Sequence, residues 1–401
     1  MDFNYSPDEQ AFRSDVRAWL AEALPDGWGQ SVFEPEDEEE RAQFRISWER
    51  KLFEGGWSGI SWPQKYGGRG ATLIEQGIFA EECARAQAPE GINVIGRNLA
   101  ATTLMHHGTE EQRERYLPKI LAAEEIWCQC FSEPNAGSDL AASRCRAEAD
   151  GDDFVINGQK IWTSYAQYSH LGILLARTDQ DAPKHKGLSF FVVDMNSPGI
   201  SVRPLTQITG EQEFNETFFE DVRIPKENLV GDLNDGWRIA MTTLSYERGA
   251  EDALARQIRF KQELDLLIEN LQDARQGGQK SIDDPAIRQR LAQSIVDLEL
   301  MRMNCLREFS KAIKGEKPGP ESSLMKLYWS HVAQEMFDMS IEVLGPEGLL
   351  MQGDRDAVAR GRFPLSCMQS RAFTIYSGTS EIQRNIIAER VLGLPREGKR
   401  A

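Results

Sequence analysis

Apolar positions recur along the first third of the chain at the three- and four-residue spacing of helices with one buried face. Phe12, Val16, Trp19 and Leu20 form one such stripe. Ser6-Pro7-Asp8-Glu9 introduces it, a capping box with proline at the first helical position. A glycine-rich loop, WPQKYGGRG, interrupts the pattern before TLIEQGIFAEECARA resumes it. Thr109 then reads as the N-cap of a further helix that ends near Pro118. From WCQCFSEP to about Gly236 the period changes to two. The runs DFVINGQKIWTS, HLGILLART, GLSFFVVDM, ISVRPL and ETFFEDVRIP are separated by the turn signals DGDD, NG and NSPG. Connections this short predict antiparallel pairing, because a parallel crossover needs a long connection. After NDGW the helical spacing returns. The breaks DARQGGQKSIDDP and KGEKPGPES, with a loop around GPEGLLMQGDRD, leave about four long helices in a bundle-like arrangement. The order is helices, then a β domain, then helices, with no internal repeat.

Composition narrows the function classes. The chain has 401 residues, enough for roughly two or three domains with a sizeable core. A net charge of −17 argues against a nucleic-acid partner, since binding phosphates needs a basic surface. Part of that charge is the run FEPEDEEER (33–41), which reads as a solvated linker or loop. No apolar stretch approaches the roughly 20 residues of a membrane span. The start, MDFNYSPDEQ, lacks both a signal-peptide apolar region and an Arg-rich transit pattern, so the expectation is a soluble, cytoplasmic protein. The cysteines at 83, 128, 130, 145, 305 and 367 form no CxxC, and the histidines form no HExxH. Cys128 and Cys130 share a strand face, which suits burial. Neither a metal centre nor a disulfide framework is expected.

Two regions carry candidate chemistry. In IYSGTSEIQRNII (375–387), Ser380 and Gln383 fit a capping box, and Ile382, Ile386 and Ile387 supply an apolar stripe. The N–H groups of that helix then face Ser-Gly-Thr, a geometry that suits an anion or a carbonyl oxygen, although most such turns only cap. Ser377 has no neighbouring His or Lys in sequence to activate it as a nucleophile. The chain has no GxGxxG after a strand, no GxxxxGK[ST] and no GxSxG. The second region is CQCFSEPNAGSDL (128–140) followed by NGQKIWTS (157–164). Its small-residue turn lets backbone N–H groups and the Ser132 and Ser138 hydroxyls approach a ligand. Trp162 and Ser164, two apart, put an aromatic plate beside a donor. Each alone is more often core or turn; together they suggest a flat cofactor.

With FSEPNAGSD, GQKIWTS, DVRIPKENLVG, GWRIAMTTLSYER, EVLGPEGLL and YSGTSEIQRNIIAERVLGLPR in this order, essentially the whole chain resembles the acyl-CoA dehydrogenases. The resemblance implies an α+β chain with an N-terminal helical domain (1–126), a middle antiparallel β domain (127–235) and a C-terminal four-helix bundle (236–401). It implies non-covalent FAD, with the flavin against Phe131, Ser132, Trp162, Thr163 and Ser164. Thr379 and Glu381, with Ser377 and Gly378, would line the flavin and substrate end. Gly137 and Ser138 would face the cofactor phosphates and the acyl-CoA. A neighbouring subunit would contribute Glu342 and Gly345, which implies at least a homodimer, or a homotetramer, with an unlike partner also compatible. The electron acceptor implied is an electron-transferring flavoprotein.

Two departures from the family pattern matter. Many relatives carry a glutamate, the catalytic base, at the position of Ser377. The Arg and following Phe-Gly that contact FAD across subunits are not recognisable in LARQIRFKQELDLL. One branch, which includes isovaleryl, long-chain and some bacterial steroid side-chain enzymes, carries its base on the first helix of the C-terminal domain, before an arginine. By that resemblance the base is Glu247 and Arg248 a CoA or structural contact, with Glu251 the fallback. On helical spacing Glu247 shares a face with Ala240, Thr243 and Leu244, an uncharged stripe that would raise a carboxyl pKa. On the residues alone it equally suits an ion pair or a solvent-facing position. Two other readings remain open: a non-catalytic or FAD-binding subunit of a mixed oligomer, and a flavin monooxygenase on the same fold.

Overall fold

The computed structural model describes residues 5–245, 250–273, 275–276, 279–316 and 319–396, with backbone alone at 250–252, 273, 275–276 and 279. The chain divides into two compact units. One comprises Met1–Arg17, Leu73–Gln87 and Gly249–Ala401, the other Ala18–Thr72 and Ala88–Arg248.

The second unit holds the β-rich part. Its strands are β1 (Trp127–Cys130), β2 (Arg146–Asp150), β3 (Asp153–Ser164), β4 (Leu171–Arg177), β5 (Leu188–Asp194), β6 (Ile200–Leu205), β7 (Phe214–Pro225) and β8 (Leu229–Val230). They form one sheet in the order β6-β7-β3-β2-β4-β5-β8, with β1 alongside β4. Pairing is antiparallel except where β1 and, through one residue pair, β2 meet β4. The expectation of purely antiparallel strands fails there because the β2–β3 hairpin itself supplies the crossover between β1 and β4. Strands β4 and β5 are apolar and buried on both faces. Period two sorts their side chains. Ile173, Leu175, Phe190 and Val192 pack with Leu104 of α4 (Ala101–His107), Leu117, Ile120 and Ile239, whereas Leu174, Ala176, Phe191 and Val193 pack with Phe154, Ile156 and Val222.

The expected turn at Asn157-Gly158 lies inside β3, at a register shift against β7. A Cβ on Gly158 would stand 2.7 Å from the Cys145 Cα, so glycine lets two backbones close rather than reverse. Helix α2 (Glu38–Glu54) begins within the acidic run, with Asp37 capping the Glu40 N–H. Glu38, Glu39 and Glu40 form its first turn, where the helix dipole favours negative charge, so half of the presumed linker is helix. Thr109 caps α5 (Glu110–Leu121) in a capping box with Gln112, as its sequence implied. That helix does not stop near Pro118 but continues to Leu121. Burial of Leu117, Ile120 and Leu121 outweighs the hydrogen bond a proline removes.

In the first unit, Ser6 and Glu9 exchange the predicted capping-box bonds at the start of α1 (Pro7–Ala23). Its bundle consists of α7 (Ala250–Asp273), α8 (Pro285–Ile313), α9 (Ser322–Leu344) and α10 (Arg362–Phe373). Leu264, Leu267, Leu298, Met301, Ala333 and Phe337 fill its core, and α3 (Leu73–Arg85) packs on α7. Among the described residues no helix is long and apolar enough to cross a membrane, and no cluster of metal-ligating groups occurs. All cysteines are free, and Cys128 and Cys130 are buried with sulfurs 3.9 Å apart.

Candidate active site

The FSEPNAGSD segment leaves the end of β1 and is stitched to the edge of β3. Ser132 accepts a hydrogen bond from the Ile161 N–H at 2.9 Å, and Glu133 and Ala136 exchange backbone bonds across a tight turn. Between Lys160 and Thr163, β3 carries one more residue than β7, a bulge. Trp162 sits in it with φ +61°, a left-handed conformation that a tryptophan adopts only under constraint, and is 57 % exposed beside Phe214. The bulge breaks the alternation, so Lys160 and Thr163, three apart, are both buried.

This sorts the expected cofactor contacts. Ser132 and Ser164 are half-buried and Gly137 and Ser138 exposed, so all four reach the surface. Thr163 does not: it is fully buried, its carbonyl accepts from Asn215 and its hydroxyl from Thr217. The Phe131 ring likewise belongs to the core, edge-on to Phe190 at 5.6 Å. Both side chains belong to the core, so any part these two residues play at a cofactor falls to their backbone.

The other set lies in the first unit, in the turn between α10 and α11 (Ser380–Ile386). Ser377 has φ +51° and Gly378 φ +88°. The Gln383 side-chain amide donates to both of their carbonyls, at 3.1 and 3.2 Å. The cap of α11 is Thr379, whose hydroxyl accepts from the Ile382 N–H at 3.2 Å, and not Ser380 as its spacing suggested. Ser380 is already helical, its N–H donates to Thr374, and its buried hydroxyl has no partner among the described residues. Gln383 is spent on holding the turn, so it does not complete a capping box. Glu381 is exposed, and its own backbone N–H and the Thr379 hydroxyl hold its carboxyl below the usual carboxylate range. Glu342 pairs with Arg290 at 2.7 Å, and Gly345 ends α9 at φ +69°.

Glu247 and Arg248 lie outside the described residues, as does the side chain of Glu251. Helix α6 (Gly236–Ser245) precedes them, with Ala240 and Thr243 fully buried. The Thr243 hydroxyl stands 2.7 Å from that of Thr103. Sequence reasoning missed Lys160 and Glu133, polar groups buried beneath a candidate segment, and gave Gln383 a capping role in place of its hold on the Ser377 turn. Lys160 carried a signal, an even spacing from Phe154 and Ile156 on an inward strand face.

Three family profiles match the chain in turn: acyl-CoA dehydrogenase, N-terminal domain, over residues 6–124, middle domain over 128–222 and C-terminal domain over 234–392. The chain is 42 % identical to acyl-CoA dehydrogenase IpdE1 of Mycobacterium tuberculosis over 395 residues, 98 % of this chain and 99 % of that protein. Among solved structures it is similar to the Tcur3481-Tcur3483 steroid ACAD, with 31 % identity and a TM-score of 0.86, covering 99 % of this chain and 100 % of that one. It is also similar to the ChsE4-ChsE5 complex from Mycobacterium tuberculosis, with 31 % identity and a TM-score of 0.83 over 99 % and 100 % of the two chains. The helical, β and helical parts thus match in order along nearly the full length, and the chain belongs to the acyl-CoA dehydrogenase family, oxidoreductases that act on the CH–CH bond of acyl-CoA.

Proposed function

We propose that this chain is an FAD-dependent dehydrogenase that converts a bulky, steroid-derived acyl-CoA to its 2-enoyl-CoA, with Glu247 as base. The observation that carries the reading is Ser377. Where many relatives hold a carboxylate, this chain has a hydroxyl in a left-handed turn, with its carbonyl tied to Gln383. A hydroxyl with no base beside it in sequence does not remove an α-proton, and Glu247 is the carboxylate that the family resemblance supplies instead.

The residues present suit a flavin. An exposed tryptophan in a constrained bulge, with Ser164 two residues on and Ser132 bonded to the adjoining Ile161, offers a flat apolar face and hydrogen-bond donors. When bound, FAD supplies the acceptor for the β-hydride, and an electron-transferring flavoprotein then takes up the electrons. Trp162, Ser132 and Ser164 orient the ring, and the Gly137-Ser138 turn approaches the phosphates. Glu247 takes the α-proton, while a backbone N–H polarises the thioester oxygen. The steroid class rests on likeness to a protein named as a steroid ACAD. An unlike acyl-CoA dehydrogenase chain as partner, rather than a second copy, rests on likeness to the ChsE4-ChsE5 complex. The work is divided between the domains 127–235, for flavin and acyl-CoA, and 236–401, for the base and subunit contacts.

Anaerobic titration with a panel of acyl-CoA thioesters tests this reading. Wild-type flavin is expected to bleach with a steroid-derived thioester and the Glu247→Gln variant to stay yellow. Bleaching of that variant at the wild-type rate would sink the assignment of the base.

A further inference from the structure

Lys160 is fully buried in the middle of β3, and its ammonium has two partners. It donates to the Phe131 carbonyl at 2.9 Å and to Glu133 Oε1 at 2.8 Å. The Glu133 carboxylate, itself only 9 % exposed, also accepts from the Cys145 N–H at 2.9 Å and the Arg144 N–H at 2.7 Å. The pair therefore grips backbone on three stretches at once: the end of β1, the turn that follows it and the start of β2. A buried ion pair contributes little net stability over an apolar pair of the same shape, because desolvating two charges cancels most of their attraction. What it supplies is fixed geometry. Ser132 lies between the two gripped residues, and its own carbonyl is tied to Ile161, next to the strained Trp162.

We infer that Lys160 and Glu133 form a buried clamp that positions Ser132 and Trp162, and so preorganises the flavin-facing edge before the cofactor binds. The clamp is a positioning device with no contact to the reacting atoms. It rests on the proposal that this edge receives a flavin. Without it, the segment from Phe131 to Ala136 keeps only its turn bonds and the single Ile161–Ser132 bond. The bulge then loses the anchor on its N-terminal side, and the flavin meets a mobile edge instead of a set one. Binding then carries the cost of ordering that edge.

The test replaces both charges, Lys160→Met/Glu133→Gln, so that neither is left alone in the core. Local amide exchange is read by mass spectrometry on the full chain, and FAD affinity and the visible circular dichroism of the flavin on the loaded protein. Exchange at Arg144, Cys145 and Ile161 is expected to quicken roughly tenfold, the equivalent of one lost hydrogen bond, with β4 and β5 unchanged. The FAD dissociation constant is expected to rise by about the same factor, and the flavin dichroism to change. Unaltered exchange at these amides would overturn the clamp, as would an altered affinity without local loosening. If the double variant does not fold, Lys160→Gln/Glu133→Gln, which also leaves no charge alone in the core, decides by the same readouts. A wild-type chain that binds no FAD would defeat the cofactor reading instead, and the exchange measurement would still decide whether the clamp exists.

Discussion

The carboxyl of Glu213, one residue before the phenylalanine that stands edge-on to Trp162, is pushed up to about 7. Burial is the main cause. The charges of Glu211 and Glu90 add to it, and that of Arg45 opposes it. A carboxyl raised above its ordinary 4.5 in the folded state favours folding most where it is protonated. That contribution is complete below pH 4.5 and is lost as the pH climbs through about 7. Glu213→Gln should therefore flatten the decline of stability across this window and leave the protein more stable at alkaline pH, by on the order of 2 kcal/mol. Urea midpoints of both proteins measured across the window check it; parallel curves would show that Glu213 does not titrate there. Nothing local in EQEFNET announced this group. Its shift comes chiefly from burial, which only the fold supplies, while Glu211 is the one contributing charge close by in sequence.

At the level of elements, β3 repays close attention because it serves three purposes in one run. Its first half is an ordinary inward-outward strand, its middle approaches Cys145 through Gly158, and its end bulges to present Trp162. Gly158→Ala puts a methyl group against the Cys145 backbone and should cost about 1–3 kcal/mol, read as a lowered denaturation midpoint without loss of the sheet's circular dichroism. A substitution without effect would mean that the strands can part there cheaply. Local patterns revealed what depends on local forces: the capping boxes at Ser6 and Thr109, and the apolar runs of β4 and β5. They failed where a distant contact decides. The parallel docking of β1 on β4, the extension of α5 past Pro118 and the bulge that buries Thr163 all depend on partners remote in sequence. The cap of α11 failed for a different reason. Thr379 and Ser380 are adjacent and chemically alike, and only the turn held by Gln383 selects between them.

Over the whole molecule, a net charge of −17 sets a long-range field that opposes a polyanionic ligand such as CoA. Raising ionic strength from about 0.02 to about 0.2 M shortens the screening length severalfold and should raise kcat/KM for acyl-CoA. A fall with salt would show that a local cationic approach path outweighs the net charge. The division into two units has a further bearing on any dissection of the gene. The chain passes from one unit to the other after Arg17, after Thr72, after Gln87 and after Arg248, so each unit is assembled from separated stretches. No single cut yields a fragment that contains one unit whole and nothing of the other. Truncated genes drawn at apparent domain borders will therefore encode incomplete cores, and recombination between relatives will succeed only where the exchanged stretches travel together.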